Sequence, residues 1–242
     1  MIVAGGGDGT VSAVASIVAG TPTALGVLPL GTLNHFAKDL GIPLDRAEAA
    51  RTIVTGQRIE VDVGEVNGRV FINNSSLGLY PRIVLERTSQ QRRLGRSKWS
   101  ALFWATLTVL RRSPFLTVRL KVENEARDYR AALVFIGNNR YVMEGFDIGG
   151  RERLDCGVLS IYITQRAGRR GLIGLALRAL AGRLHQADDF EALTTDAAEI
   201  STRRSHLHVA TDGEVTLLET PLRYRVRPRD LHVIVPAQQP SA

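Results

Sequence analysis

The glycine-rich stretch VAGGGDGTVSAV, at residues 3–14, most constrains what this chain can fold into. A few apolar residues precede its glycines, and a run of small and apolar residues follows them. Glycine permits positive φ and a close approach of backbone to an anion, and the first N–H groups of a helix have no partner within that helix. We therefore predict a strand, an anion-binding turn at 5–10 and a helix. A turn that binds no ligand is the alternative interpretation.

The turn differs from two well-known phosphate-binding motifs. It is not followed by the Gly-Lys-Ser/Thr of a P-loop. Gly5 and Gly7 fit the dinucleotide fingerprint, but Thr10 occupies the place of its third glycine. Because the carboxylate of Asp8 would repel a phosphate, we expect Mg²⁺ and a polyphosphate to bind together at this turn.

A second strand, turn and helix are predicted by LPLGTLNHFA at 28–37. Thr32 is the expected N-cap of a helix over LNHFAKDL, which stops at Gly41 and Pro43. Neighbouring parallel strands end at the same edge of a sheet, so the two turns are expected to lie side by side. Thr32 and Asn34 would then donate hydrogen bonds to the same nucleotide.

The second half of the chain favours antiparallel strands. Apolar and polar residues alternate from about residue 58, and Asn67-Gly68 is a strong signal for a hairpin turn. Further strands are indicated by LTVRLKVE, RAALVFIG, GVLSIYIT, HLHVA, LRYRVRP and LHVIV. The predicted fold class is α/β plus β: a partial parallel α/β nucleotide-binding domain (1–60), a β-sandwich (61–236) with helical insertions near 97–112 and 169–185, and a disordered tail (237–242).

The predicted α/β domain has only two parallel strands, whereas sheets typically hold about 4–6. We therefore expect an N-terminal piece built of βα units to complete its sheet. The alternative is that the second half of the chain supplies the additional strands.

Composition limits the class of protein. The chain has 242 residues, a formal net charge of +7 and a single cysteine, Cys156, so it has no internal disulfide framework. Neither a secretory signal peptide nor the ~20-residue apolar run that spans a bilayer is visible. These features favour a cytoplasmic protein with an anionic partner.

Two basic segments predict contact with an anionic membrane surface. Arginines flank the apolar stretch WSALFWATLTVL within 82–112, which carries Trp99, Phe103 and Trp104, and 166–185 has a similar character. Such segments are typical of helices that lie on acidic lipid, which would place the protein at the inner face of the membrane. The alternative is that both pack on the sandwich with arginines facing solvent. Without a recognised reading motif, nucleic acid is not an expected partner.

Two motifs together resemble the catalytic domain of diacylglycerol kinases, a family that includes bacterial lipid kinases and sphingosine kinases. They are GGDGT at 6–10 and LPLGTLNHFA at 28–37. The likeness continues through 61–78 and 136–150 and ends with ATDGE at 210–214. It implies an α/β domain that binds ATP, a β-sandwich beside it, and a lipid substrate in the cleft between them.

The resemblance also implies roles for individual residues. Thr32 would bind the nucleotide from the second turn, Glu214 would be the general base that takes the proton of the lipid hydroxyl, and Asp8 would act through the Mg²⁺ of the nucleotide. The nucleotide phosphates would bind Gly6, Gly7, Asp8, Gly9 and Thr10. Taken alone, TDGE indicates a hairpin turn, in which Asp212 is a turn residue and Glu214 a solvated carboxylate.

The sequence departs from the family at two points. The family's first βα units have no match in this chain. The family also places a metal-binding aspartate where this chain has Cys156, with Asp155 one position early. A shift of one residue on a strand turns a side chain to the other face, so we expect no standard structural metal unless a bulge brings Asp155 into place. Cys156 is expected to be a small buried residue.

The sequence leaves three functions open. The favoured one is an ATP- and Mg²⁺-dependent lipid kinase. The second is an NAD kinase-like phosphorylation of a soluble substrate, and the third is a non-catalytic, lipid-binding remnant of a lipid kinase.

Overall fold

A computed structural model describes residues 1–81, 84, 115–141, 150–151, 153–164 and 190–237. Three helices lie wholly within these ranges, α1 (Asp8–Val18), α2 (His35–Asp39) and α3 (Arg46–Thr55), and residues 79–81 and 84 are also helical. The strands are β1 (Ile2–Gly6), β2 (Leu25–Pro29), β3 (Gln57–Val66), β4 (Arg69–Phe71), β5 (Asn74–Gly78), β6 (Leu116–Val122), β7 (Glu125–Ala131), β8 (Leu133–Asn138), β9 (Leu159–Thr164), β10 (Phe190–Thr195), β11 (Ala197–Ser201), β12 (His206–Thr211), β13 (Glu214–Glu219) and β14 (Leu222–Val235).

The first sheet contains the predicted parallel pair. Its order is β1-β2-β14-β11-β6-β7, and β3 pairs with both β14 and β4. β1 and β2 are parallel, and β14 continues the sheet beyond β2, in parallel at Val233 and Leu25. The second half of the chain therefore supplies a neighbour for β2, which agrees with the alternative to a separate N-terminal piece.

The second sheet is antiparallel, with the order β10-β9-β8-β5-β12-β13. It packs against the sandwich part of the first sheet, and the apolar side chains between them include Phe71, Ile136, Ile161 and Tyr224. The predicted fold class is thus confirmed. The helical insertions predicted near 97–112 and 169–185 and the tail beyond residue 237 lie outside the described residues.

β14 joins the two halves of the fold. The sequence predicts two strands here, LRYRVRP and LHVIV, but the structure has one 14-residue strand. Its pairing with β3 shifts register between Arg227 and Leu231, and Arg229 there has φ 53°. The backbone N–H of Arg229 turns to the buried carboxylate of Asp62, at 2.9 Å. A bulge of this kind lets the strand bend without ending, so the two sheet regions share β3 and β14.

The helices follow the apolar pattern of the sequence. α1 buries Val11, Ala15 and Val18, which lie on one helical face. The N-cap of α2 is Asn34, with φ 51°, and the helix begins at His35. The prediction that Thr32 is this N-cap is wrong. Asn tolerates a left-handed backbone better than most residues, so the chain turns at Asn34, later than expected.

Candidate active site

The first turn exposes the N-terminus of α1. Gly7 is the N-cap, and no side chain caps the helix. The carbonyl of Gly7 accepts the first hydrogen bonds of the helix, from the N–H groups of Thr10 (3.0 Å) and Val11 (3.1 Å). The N–H groups of Asp8 and Gly9 precede these bonds and have no acceptor within the helix. A Cβ on Gly6 would lie 2.6 Å from the Thr10 hydroxyl oxygen, whereas Gly9 borders open space. The turn therefore requires a glycine at position 6 and leaves room beside position 9.

The two predicted turns are adjacent. A Cβ on Gly31 would lie 2.4 Å from the Cα of Gly7, so these backbones touch. The carboxylate of Asp8 accepts a long hydrogen bond, 3.4 Å, from the N–H of Phe36 in α2. Thr32, which follows Gly31 in the second turn, is exposed, whereas Asn34 is buried. The carboxamide of Asn34 closes the second turn, since its oxygen accepts from Gly31 N–H at 3.0 Å and its nitrogen donates to Gly31 C=O at 2.9 Å.

The third predicted element, TDGE, forms the hairpin turn between β12 and β13. Asp212 and Gly213 have φ of 47° and 87°, as a two-residue turn of this kind requires. The Asp212 carboxylate accepts backbone hydrogen bonds from Ile72 (2.8 Å), Asn73 (2.9 Å) and Asn74 (3.0 Å). It also accepts one from the hydroxyl of Ser12 on α1. Burial raises the pKa of Asp212, and these donors oppose the shift because they stabilise the carboxylate.

A cavity of about 280 Å³ lies between α1 and two hairpin turns. Gly9 and Ser12 line its helix side, and Arg69 and Glu214, each of which follows the glycine of a turn, line its other side. The Glu214 side chain is 70% exposed, and its carboxylate lies 4.0 Å from the Arg69 guanidinium. The cavity thus brings Gly9 and Glu214 together across more than 200 residues of sequence. Of the predicted nucleotide-binding residues only Gly9 lines the cavity, which does not include Gly6, Gly7, Asp8, Thr10, Thr32 or Asn34.

The residues at the first turn fit a nucleotide with bound Mg²⁺. The Asp8 side chain is half-buried, and its one hydrogen bond given above leaves lone pairs for a cation. In the described part of the chain no three His, Cys, Asp or Glu side chains cluster as a metal site would require. Mg²⁺ commonly binds through one or two carboxylates and the phosphates of a substrate, so Asp8 with a nucleotide suffices.

The predicted alternative metal ligand lies elsewhere. Asp155 is exposed and accepts two hydrogen bonds from the guanidinium of Arg153, at 3.0 and 3.1 Å. This partner lowers the pKa of Asp155. Cys156 is exposed, so the prediction that it is buried is wrong. It lies in the loop before β9, where its N–H donates to the Asn139 carboxamide at 2.8 Å while its side chain faces outward.

Sequence reasoning missed several residues around the cavity. Ser12 lies four positions after Asp8, on the same helical face, which is a signal that could have been used. Arg69 follows the predicted Asn67-Gly68 turn directly. Arg151 and Asp39, a buried ion pair behind residues 72–74, had no local signal because they are 112 positions apart.

No helix in the described ranges is long and apolar enough to cross a membrane. Together, the fold and the site define a two-sheet protein in which the glycine turn of an α/β unit and a carboxylate of a β-sandwich meet at one cavity.

Comparison with known proteins identifies the family. Residues 1–66 match the diacylglycerol kinase catalytic domain, and 83–235 match the YegS C-terminal NAD kinase beta sandwich-like domain. A "Probable lipid kinase YegS-like" of Pseudomonas syringae pv. syringae is 31% identical, over 99% of this chain and 77% of that protein. A "Diacylglycerol kinase" of Bacillus subtilis is 28% identical, over 99% of this chain and 78% of its own length.

A solved structure agrees with the fold. It is a diacylglycerol kinase from Bacillus anthracis, with a TM-score of 0.67 and 23% sequence identity over 97% of this chain and 75% of that chain. The chain therefore belongs to the family of diacylglycerol kinases and YegS-like lipid kinases.

Proposed function

We propose that this chain is an ATP- and Mg²⁺-dependent kinase that transfers the γ-phosphoryl group to a hydroxyl of diacylglycerol or a related lipid alcohol. The observation that supports this most is that the N-terminus of α1 and the carboxylate of Glu214 face one cavity. Phosphoryl transfer requires an anion site, neutralisation of phosphate charge and a group that accepts the hydroxyl proton. The cavity and its rim offer each of these.

The nucleotide phosphates bind at residues 6–10, against the partial positive charge of the helix N-terminus. Thr32 is exposed in the adjacent second turn, and its hydroxyl donates a hydrogen bond to a phosphate oxygen. Asn34 shapes this second turn through its two bonds to Gly31. Asp8 would hold Mg²⁺, which would supply neutralisation of the phosphate charge when bound with the nucleotide.

Glu214 accepts the proton of the lipid hydroxyl as that oxygen attacks the γ-phosphorus of ATP, and the bond from this phosphorus to the β–γ bridging oxygen breaks to release ADP. Its exposed position at the cavity leaves it free to reach a substrate that enters from solvent. The guanidinium of Arg69 lies 4.0 Å from the Glu214 carboxylate. Because Glu214 begins β13, its backbone position is fixed by the hairpin and its side chain supplies the reach.

The lipid is reached at the membrane. We propose that the basic segments 82–112 and 166–185 lie on the anionic surface of the inner face of the membrane, where they retain the cytoplasmic protein. Apart from residue 84, these segments lie outside the described residues, and their composition supports the proposal.

The test is transfer of labelled phosphate from ATP to a lipid panel, with Mg²⁺ present and with Mg²⁺ chelated. The panel contains diacylglycerol, phosphatidylglycerol and ceramide, together with soluble NAD, and Glu214→Gln is the comparison variant. Transfer to a lipid that requires both Mg²⁺ and Glu214 is expected. Transfer to NAD alone would replace this proposal with the soluble-substrate alternative.

Two further measurements complete the test. Sedimentation with vesicles that contain 30% or no anionic lipid (about a physiological range) is expected to show binding that weakens with salt. Calorimetry with ATP separates an inactive kinase from a remnant, because the non-catalytic alternative predicts no nucleotide binding. Absence of both transfer and nucleotide binding would overturn the proposed function.

A further inference from the structure

Arg151 is a charged side chain enclosed in the protein. Its side chain is 0% exposed and that of its partner, Asp39 at the end of α2, is 8% exposed. The guanidinium donates to the Asp39 carboxylate at 2.8 Å and lies over the ring of Tyr141, with 5.2 Å between its central carbon and the ring centroid. A buried charge needs an opposite charge and several hydrogen bonds to be tolerated, so this arginine is held in one orientation.

The remaining donors of Arg151 bind the segment 72–74. One terminal nitrogen donates to Ile72 C=O at 2.7 Å and to Asn138 C=O at 3.2 Å. The other donates to the carboxamide oxygen of Asn73 at 2.8 Å. The Tyr141 hydroxyl adds a bond to Asn73 C=O, also at 2.8 Å. Arg151 therefore fixes both the backbone and a side chain of this segment.

The other side of segment 72–74 binds Asp212. The peptide group between Ile72 and Asn73 offers its carbonyl to Arg151, at 2.7 Å, and its N–H to the Asp212 carboxylate, at 2.9 Å. A single peptide group thus lies between a cation and an anion, in the orientation that both favour. Hydrogen bonds in such a chain polarise and strengthen one another.

Resting on the proposed function, we propose that Arg151 is a positioning residue that holds the Glu214 turn against the nucleotide-binding helices. The continuous path runs from α2 through Asp39, Arg151, the Ile72–Asn73 peptide and Asp212 to Ser12 on α1. Asp212 is two residues before Glu214 in the same hairpin turn. Arg151 has no part in the cavity lining and acts only through this path.

The decisive variant is Arg151→Lys, which keeps a positive charge but loses the planar fork that binds several acceptors. We expect kcat for phosphate transfer to fall about tenfold, while the KM for ATP stays within about twofold. Amide exchange of 72–74 and 211–214 is expected to accelerate, with β6 unchanged. Arg225→Met is the control, because it removes a guanidinium that donates two hydrogen bonds to the Glu65 carboxylate, at 2.9 and 3.0 Å, at the sheet surface.

Two variants distinguish positioning from general stabilisation. Arg151→Met leaves Asp39 buried without its cation, so it is expected to lower the melting temperature. The double variant Arg151→Met/Asp39→Leu removes both charges and is expected to regain most of that loss, because an apolar pair can replace a buried ion pair. Its kcat is expected to stay as low as that of Arg151→Lys, since segment 72–74 still lacks its donors.

The outcomes separate this proposal from the proposed function. If wild-type protein transfers no phosphate, the proposed function fails, and amide exchange still decides whether Arg151 holds the turn. Unchanged exchange of 211–214 in Arg151→Lys would overturn the positioning role whatever the activity. Full recovery of kcat in the double variant would also overturn it, because Arg151 would then contribute to stability alone.

Discussion

Two hairpin turns line the side of the cavity that faces α1; they share a backbone conformation but differ in what their first side chain binds. Asn67-Gly68 and Asp212-Gly213 both have positive φ at their two residues. Each places the residue after its glycine at the cavity, Arg69 in one case and Glu214 in the other. The local sequence thus gives both turns the same backbone conformation. They differ in the hydrogen-bond partners of the side chain at the first turn position, Asn67 or Asp212.

The Asn67 side chain binds within its own neighbourhood of the sandwich. It donates to the C=O of Glu219 at 2.9 Å and accepts from the N–H of Arg223 at 2.7 Å. The Asp212 side chain instead binds across to segment 72–74 and to Ser12 of α1. We call these two side chains, Asn67 and Asp212, the anchors of their turns. The Asn67 anchor stabilises an edge of the sandwich, whereas the Asp212 anchor connects the sandwich to the α/β unit that carries the glycine turn.

The largest effect is expected from Glu214→Gln. We expect phosphate transfer to fall by about 10²–10⁴-fold, the usual contribution of a general base, with thermal stability unchanged. The side chain is 70% exposed and its ion pair with Arg69 spans 4.0 Å, so folding does not depend on it. Rates and melting temperatures are measured beside Glu219→Gln at the far end of β13. An equal loss in both variants would contradict a specific role for Glu214.

Asp212→Gly tests the anchor that spans the two regions. Glycine keeps the positive φ, so the variant removes only the carboxylate. Backbone donors at 72–74 lose their acceptor, and we expect the free energy of unfolding in urea to fall by about 2–3 kcal/mol. The transfer rate is expected to fall about 10²-fold because Glu214 loses its fixed position. A variant that is less stable yet fully active would separate this anchor from the site.

Asn67→Gly is the matched change at the other turn. It too keeps the backbone conformation and removes one hydrogen-bonding side chain. We expect the free energy of unfolding to fall by about 1 kcal/mol, because the groups released are exposed and can bind water. The transfer rate is expected to stay within twofold of wild type (roughly the effect of 0.4 kcal/mol). A large loss of activity here would contradict the contrast between the two anchors.

The sequence predicted both turns because their signals are local. Asn-Gly and Asp-Gly specify two-residue hairpins, and the glycine turn before α1 follows from the needs of a strand that enters a helix. Resemblance added the partnership between Gly9 and Glu214. Two features without a local signal depend on distant parts of the chain. The second neighbour of β2, after β1, is a strand some 200 residues later, and Arg151 binds Ile72 from 79 positions away.

Two wrong predictions have the same origin. Thr32 is a good N-cap by residue type, but the contact between Gly31 and Gly7 and the bonds of Asn34 move the start of α2 to His35. Cys156 was expected inside because free cysteines often are, yet it lies in a loop that turns its side chain to solvent. In each case a tertiary contact or a strand boundary overrides the preference of the residue itself.

The smallest expected effect is on the pH dependence of the Asp212 anchor. Burial raises the pKa of Asp212 in the folded protein, so the folded state binds its proton more tightly than the unfolded state does. Ionised Asp212 therefore opposes folding above the folded-state pKa, and this penalty disappears as pH falls through that pKa toward the unfolded value of about 3.9. The other carboxylates are shared with Asp212→Asn, so their titration cancels in the difference between wild type and this variant.

That difference in free energy of unfolding is expected to move in favour of wild type as pH is lowered from about 7 toward about 4. Asn67→Asp provides the contrast, because a carboxylate at the exposed turn has no buried environment to raise its pKa. Its difference from wild type is expected to change less with pH over the same range. A shift in favour of Asp212→Asn on acidification would mean that the four donors to Asp212 outweigh burial, and the anchor would then be strongest as a carboxylate at neutral pH.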